Sequence, residues 1–273
     1  LDLAWQWPRE ETVRKSARTM STQLALIEEY PESRFMWCQV PLFEMLRDGY
    51  PELWRELKAR IAEGRVMAEG GMWLEPDINL PGGESLIRQV ILAKRFFREE
   101  LGQDTQLLWL PDTFGFSAAL PQIMRGTGLR YFGTKKVIDV YGDGDVFPHV
   151  TFRWEGLDGS AVLAHVFRKS NSAIDPKTLT KRWNVDRRQQ DNISTYLFPF
   201  GYGDGGGGLI CTHLEFTRRM ADLEGIPRTR WAHPLDFYRD REALGPVRES
   251  YSGELYFPQH RGTYTLSLIH ISQ

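Results

Sequence analysis

The 273-residue sequence predicts an α/β protein: a mostly parallel sheet with helices on both sides, closing towards a barrel. Short apolar runs alternate with amphipathic helical stretches along the whole chain, and no internal repeat interrupts them. Acidic residues recur just past apolar or presumed strand segments, at Asp2, Asp112 and Asp204, with glycine, proline or aromatic residues close by. In a parallel sheet the carboxyl ends of all strands share one face, so three acids far apart in sequence would converge there.

The elements follow in order. Pro8 with Glu10 and Glu11 opens a helix whose apolar face is Val13, Ala17, Met20, Leu24 and Ile27, and Pro31 ends it. Residues 34–40 read as a strand, 50–64 as a helix stopped by Gly64, and 65–69 as a strand entering the loop Gly70–Asp77. A helix from Gly83 to Gly102 precedes the central strand Leu107–Leu110. Pro111 ends that strand's hydrogen bonding, Asp112 sits just past it, and Ser117 can cap the next helix. Residues 130–134 form the next strand, 151–155 and 161–167 a hairpin, and 176–190 a polar helix. Strands at 194–199 and 230–232, and helices at 212–224 and 234–243, complete the pattern.

Composition bounds the function. Hydrophobic content of 41% and charged content of 26% are those of an ordinary globular domain, and a net charge of −2 gives no reason to expect nucleic acid or an anionic membrane as partner. No run of apolar residues is long enough to cross a membrane. Cys38 and Cys211 lie in no metal-binding spacing and read as thiols rather than a disulfide framework. Nine tryptophans are many for this length; Trp5, Trp7, Trp73 and Trp109 lie beside polar or turn residues and suit stacking on sugars, whereas Trp37, Trp54 and Trp154 read as core.

Close carboxylates cannot all ionise cheaply, so such a cluster calls for a cation or a shared proton. A metal ion or a glycosidase-type acid pair would each meet that need. The glycines after Asp204 let backbone approach a ligand; no Lys-Ser/Thr follows them, which excludes a P-loop.

Five stretches, Asp2-Leu-Ala-Trp5, Gly70–Asp77, Leu110–Phe116, Gly201–Gly208 and His260–Thr265, resemble in order the motifs of family 38 glycoside hydrolases, the class II α-mannosidases, in their bacterial and cytosolic branch. The resemblance implies a distorted (β/α)7-type barrel, truncated here at its first strand. It also implies a retaining, Zn2+-dependent hydrolase acting on mannose-containing oligosaccharides. Asp112 matches the residue that is both nucleophile and metal ligand, Asp2 a second metal ligand, and Asp204 the acid/base. Trp5 matches the platform under the sugar, and Trp73, Asp77, His260 and Tyr264 are expected to line the site.

The first zinc histidine of the family pattern would fall two residues before Asp2, and the last beyond this sequence. The chain starts in mid-pattern and reads as a fragment: a catalytic domain over 1–247, a connecting segment over 248–265 towards a helical domain, and an atypical tail over 266–273. His149, His165, His213 and His233 are expected to be structural. A fragment of this kind is expected to be inactive, with cytoplasmic localisation and a homo-oligomer expected of the full-length parent. Two alternatives remain open: a metal-dependent carbohydrate deacetylase on a related barrel, and a non-catalytic sugar-binding remnant.

Overall fold

A computed structural model describes residues 1–138, 145–168, 173–189 and 194–259. The amino-terminal half comprises α1 (Arg9–Glu29), β1 (Phe35–Trp37), α2 (Val40–Gly49), α3 (Pro51–Ala62), β2 (Val66–Ala68), α4 (Gly83–Leu101) and β3 (Leu107–Trp109). The remainder comprises α5 (Leu120–Gly126), β4 (Tyr131–Thr134), β5 (Thr151–Glu155), β6 (Ala161–Val166), α6 (Pro176–Gln189), α7 (Cys211–Met220), α8 (Pro234–Ala243) and β7 (Ser250–Ser252).

β1 and β2 pair in parallel, and a parallel bridge from Gly70 to Leu108 joins them to β3-β4-β6-β5-β7. Within that second sheet only the β5–β6 hairpin is antiparallel. The expected α/β architecture with a mostly parallel sheet is therefore present. Buried strands of this kind carry apolar residues at every position, as Val66–Ala68 and Leu107–Trp109 do.

One face of the sheet packs on α4 and α5 through Val90, Leu120, Met124, Phe132 and Trp154. The β1–β2 pair packs on α1 to α4 around Trp37, Phe43, Leu57 and Phe97. On the opposite face, side chains of β1, β3, β4 and β6 meet α8 in one cluster holding Trp109, Tyr131 and Tyr238. Trp109 stacks on Phe167 at 4.5 Å between centroids, so this tryptophan is core and not a sugar platform. Trp37, Trp54 and Trp154 are buried as expected.

Several expectations change. Helix α2 replaces the end of a longer strand reading; Pro41 lies in its first turn, where a missing N–H costs nothing. Residues 194–199 and 230–232 form no strand, because neither segment has a ladder partner among the described residues. Residues 250–257, read as a connector, supply β7 beside β5 and bury Leu255 and Phe257 in the core. The tail over 266–273 lies outside the described residues.

Glu69, only 3% exposed, stitches β2 to β3. Its Oε1 accepts the N–H groups of Gln106 and Leu107 at 2.8 and 2.7 Å. Burial pushes its carboxyl up to about 7, against the two N–H donors and Lys94. A folded pKa above the unfolded one stabilises most below the unfolded value, and that contribution is lost as pH rises through about 7. Glu69→Gln keeps the accepting oxygen without the charge. Thermal melts at pH 5 and pH 8 should show the variant gaining on the wild type by on the order of 3 kcal/mol as pH rises; a pH-independent difference would contradict the buried-carboxyl account.

Candidate active site

The carboxyl ends of β1 to β4 deliver Gln39, Glu75, Asp112 and Lys135 to one edge of the sheet. β3 continues to Leu110, whose N–H bonds Gly133 O at 3.0 Å and whose carbonyl accepts from Thr134 Oγ1 at 2.8 Å. Pro111 then ends the pairing, and Asp112 turns a half-exposed carboxylate to the pair of lysines after β4. Its Oδ1 lies 3.1 Å from Lys135 Nζ and 3.2 Å from Lys136 Nζ. The Lys136 ammonium also sits 4.3 Å from the Phe114 ring centroid, which fixes its approach.

Asp204 is carried by a loop closed by reciprocal backbone bonds between Tyr202 and Gly208, at 2.8 and 2.7 Å. The Asp204 carbonyl accepts the Asp2 N–H at 2.9 Å, and Gln39 Nε2 donates to Leu1 O at 3.1 Å. The start of the chain is thereby tied to both β1 and the glycine loop. Gly206 adopts φ 73°, and a Cβ there would lie 2.9 Å from both Leu1 and Thr19. Glycine is required because α1 and Leu1 press on the loop.

This support was missed from sequence. The buried face of α1 is half polar: Thr12, Ser16, Thr19 and Gln23 lie on it with Met20 and Leu24. Gln23 brackets Leu209, accepting its N–H and donating to its carbonyl, and Thr19 donates to Gly206 O. Polar residues at helical spacing within an apolar stripe were the available signal.

The carboxylates act on one another. Burial raises the Asp2 carboxyl, and the charges of Asp204 and Asp112 raise it further, against the chain's amino group and Lys135. Burial followed by the charges of Asp112 and Asp2 pushes Glu75 up to about 7. Burial and the neighbouring Glu75, whose Oε1 is 3.9 Å from Sγ, push the Cys38 thiol up to about 12. Asp2 thus lies within electrostatic reach of both Asp112 and Asp204, and Glu75 within reach of Asp2 and Asp112.

The aromatic and loop candidates divide. Trp5 is 59% exposed and meets Trp7 edge-on at 5.9 Å, leaving its ring open to solvent. Trp73 packs edge-on against Phe96 at 6.2 Å, within the helical core. Asp77 Oδ1 accepts the N–H groups of Asn79 and Leu80, so its carboxylate holds the turn. His260 and Tyr264 lie outside the described residues. His165 is buried against Thr151 and Phe237, His213 against Phe200 and Tyr202, and His233 caps α8.

Among the described residues no three His, Cys, Asp or Glu side chains stand together as a metal site. The donors at Asp2 and Asp112 are carboxylates alone, and Asp112 already faces two ammonium groups. These residues do not by themselves compose a zinc centre.

A mostly parallel sheet with carboxylates beyond its strand ends places the chain in the α/β class with an acidic candidate site. The profile described as "Glycosyl hydrolases family 38 N-terminal domain" matches residues 1–259, and the chain belongs to that family. It is 38% identical to Alpha-mannosidase G of Dictyostelium discoideum over 267 residues, which are 97% of this chain and 24% of that protein. It is 39% identical to human Alpha-mannosidase 2C1 over 270 residues, again 97% of this chain and 25% of the relative. The chain therefore spans about a quarter of the length of these relatives. In fold it is similar to an alpha-mannosidase from Enterococcus faecalis V583, with a TM-score of 0.74 and 20% identity, covering 93% of this chain and 30% of that one. No helix among the described residues is long and apolar enough to cross a membrane.

Proposed function

We propose that the chain is the catalytic amino-terminal domain of a retaining, zinc-dependent α-mannosidase that removes terminal α-linked mannose from oligosaccharides. The supporting observation is that Asp112 and Asp204 both act on Asp2, and Asp2 and Asp112 on Glu75, in a member of this family. Asp112 attacks the anomeric carbon and forms a glycosyl-enzyme while the bond to the leaving oxygen breaks. Asp204 gives that oxygen its proton. The Asp204 carboxylate then takes a proton from water, whose oxygen attacks the anomeric carbon and frees both mannose and Asp112. Lys135 and Lys136 hold the attacking carboxylate between them, and Trp5 offers a flat face to the sugar.

Asp2 and Asp112 would supply oxygen ligands to zinc, the ion that the family resemblance implies. Among the described residues no group of His, Cys, Asp or Glu stands together to hold a metal, so no step is assigned to it. In this reading the sheet belongs to a (β/α)7-type barrel.

A form extended to the length of the relatives should release mannose from an aryl α-mannoside, with the α-anomer appearing first by proton NMR. The 273-residue chain alone should show negligible turnover and bind zinc no more tightly than micromolar. A β-anomer formed first would overturn the retaining mechanism, and sub-micromolar zinc affinity would overturn the account of an incomplete centre. Release of acetate from acetylated sugars in place of mannose would favour a deacetylase.

A further inference from the structure

Four consecutive glycines follow Asp204, so the loop Gly201–Gly208 has few side chains with which to fix its own place. Glycine loses more freedom on ordering than any other residue, and such a loop needs a hold from outside. α1 supplies one, and it grips backbone atoms. Arg18 Nη2 donates to Gly205 O at 2.9 Å, and Thr19 Oγ1 donates to Gly206 O. Gln23 Oε1 accepts the Leu209 N–H at 3.1 Å, while Nε2 donates to Leu209 O at 3.2 Å. A single amide thereby engages both backbone groups of one residue, as a neighbouring strand would.

Thr19 and Gln23 lie one helical turn apart, so both face the loop, and they are only 2% and 1% exposed. Gly208 is shaped to this arrangement. It adopts φ 64°, and a Cβ there would lie 2.6 Å from Gln23 Nε2. The hold passes from Leu209 to Asp204 along a short path. Gly208 exchanges backbone bonds with Tyr202 and closes the loop at its base. Within that loop the Asp204 carbonyl accepts the Asp2 N–H. The same stripe of α1 reaches the segment bearing Asp2, where Thr12 Oγ1 donates to Leu3 O. The buried polar face of one helix therefore holds the backbones that carry both of these carboxylates.

We propose that Gln23, together with Thr19, is a positioning residue for the acid/base: it fixes where Asp204 stands relative to the leaving-group oxygen. This role presupposes Asp204 as the proton donor of the proposed reaction. Proton transfer needs donor and acceptor within about 3 Å, and a misplacement of about 1 Å can cost about 10²-fold. The loss is unequal among substrates. A leaving group that departs readily as an anion needs little from Asp204, whereas an alkoxide depends on receiving its proton. A side chain that only stabilises the fold has no means of telling the two substrates apart.

The test measures kcat/KM, in a form as long as the relatives, on dinitrophenyl α-mannoside and on methyl α-mannoside. Gln23→Met keeps length and bulk without either hydrogen bond, and Thr19→Val keeps shape without the donor. Each variant should stay within about threefold of the unsubstituted protein on the dinitrophenyl substrate and fall at least about thirtyfold on the methyl substrate. Asp204→Ala is the reference, with the same pattern and a larger fall. In the 273-residue chain, Gln23→Met should also speed amide exchange at Leu209 at least about tenfold. Equal losses on both substrates, or none on either, beside an Asp204→Ala that shows the pattern would overturn the positioning role alone. An Asp204→Ala without the pattern would overturn the acid/base reading and the positioning role with it. Should Gln23→Met not fold, Thr19→Val decides by the same two rates.

Discussion

Asp112→Asn, in a form as long as the relatives, lowers turnover of an aryl α-mannoside by at least about 10³-fold, which is about 4 kcal/mol of transition-state stabilisation. The substitution keeps size and shape, and the amide oxygen can still accept from Lys135 and Lys136. What it removes is the charged oxygen that would form the bond to the anomeric carbon. Structure should barely respond. Asp112 is 46% exposed at its side chain, and ion pairs at such positions contribute about 0–1 kcal/mol. The thermal midpoint of the 273-residue chain should therefore move by no more than about 4 °C. Turnover within tenfold of wild type would remove Asp112 from the role of nucleophile. A large fall in the midpoint would instead mean that the Lys135–Asp112–Lys136 group holds the sheet edge together.

Much of the fold was legible because burial leaves a periodic mark. The hydrophobic runs at 66–68, 107–109 and 131–134, and the helical stripe of α4, can be read directly, and the β5–β6 hairpin follows from its Gly-containing turn. What could not be read is what depends on a neighbour. Residues 194–199 have the composition of a strand, yet a strand exists only where another backbone lies alongside. β7 is three residues long, exposed at two of them, and takes its form from β5. Among the candidate site residues, Asp112 and Asp204 stood out in the sequence by following strand-like runs with turn residues nearby, and Asp2 by the motif it opens. Lys135 and Lys136 did not, because two lysines after a strand ordinarily mean a solvated turn. Only the β3–β4 register, Trp109 beside Gly133, brings them to Asp112. Glu75 and Asp77 looked alike in sequence; the turn takes Asp77, and burial beside Cys38 gives Glu75 its place in the cluster.

The alignment of β1, β2 and β3 depends on one close approach, and Gly70→Ala is the substitution that tests it. Gly70 follows β2, bridges Leu108, and accepts the Trp109 N–H at 3.0 Å. On its other side a Cβ would lie 2.4 Å from Cys38 O and 2.9 Å from Cys38 Cβ. The obstructing oxygen is backbone, so no rotamer change relieves the contact. Either β1 moves off β2 or β2 moves off β3, and each movement breaks ladder bonds at the carboxyl edge. Overpacking of this kind costs about 3 kcal/mol, which at this chain length lowers the thermal midpoint by roughly 6–12 °C. Gly49→Ala is the control: nothing lies within 4 Å of its Cβ position, and it sits in a helix, so that change should be neutral or slightly stabilising. The damage should reach the site as well. Cys38 leads into Gln39, which holds Leu1, and Gly70 leads into the loop bearing Glu75. Gly70→Ala should therefore speed exchange of the Asp2 amide as well as lowering the midpoint. A variant with wild-type melting and exchange would mean that β1 and β2 can part there without cost, and that the carboxylate cluster is not held by the packing of the first three strands.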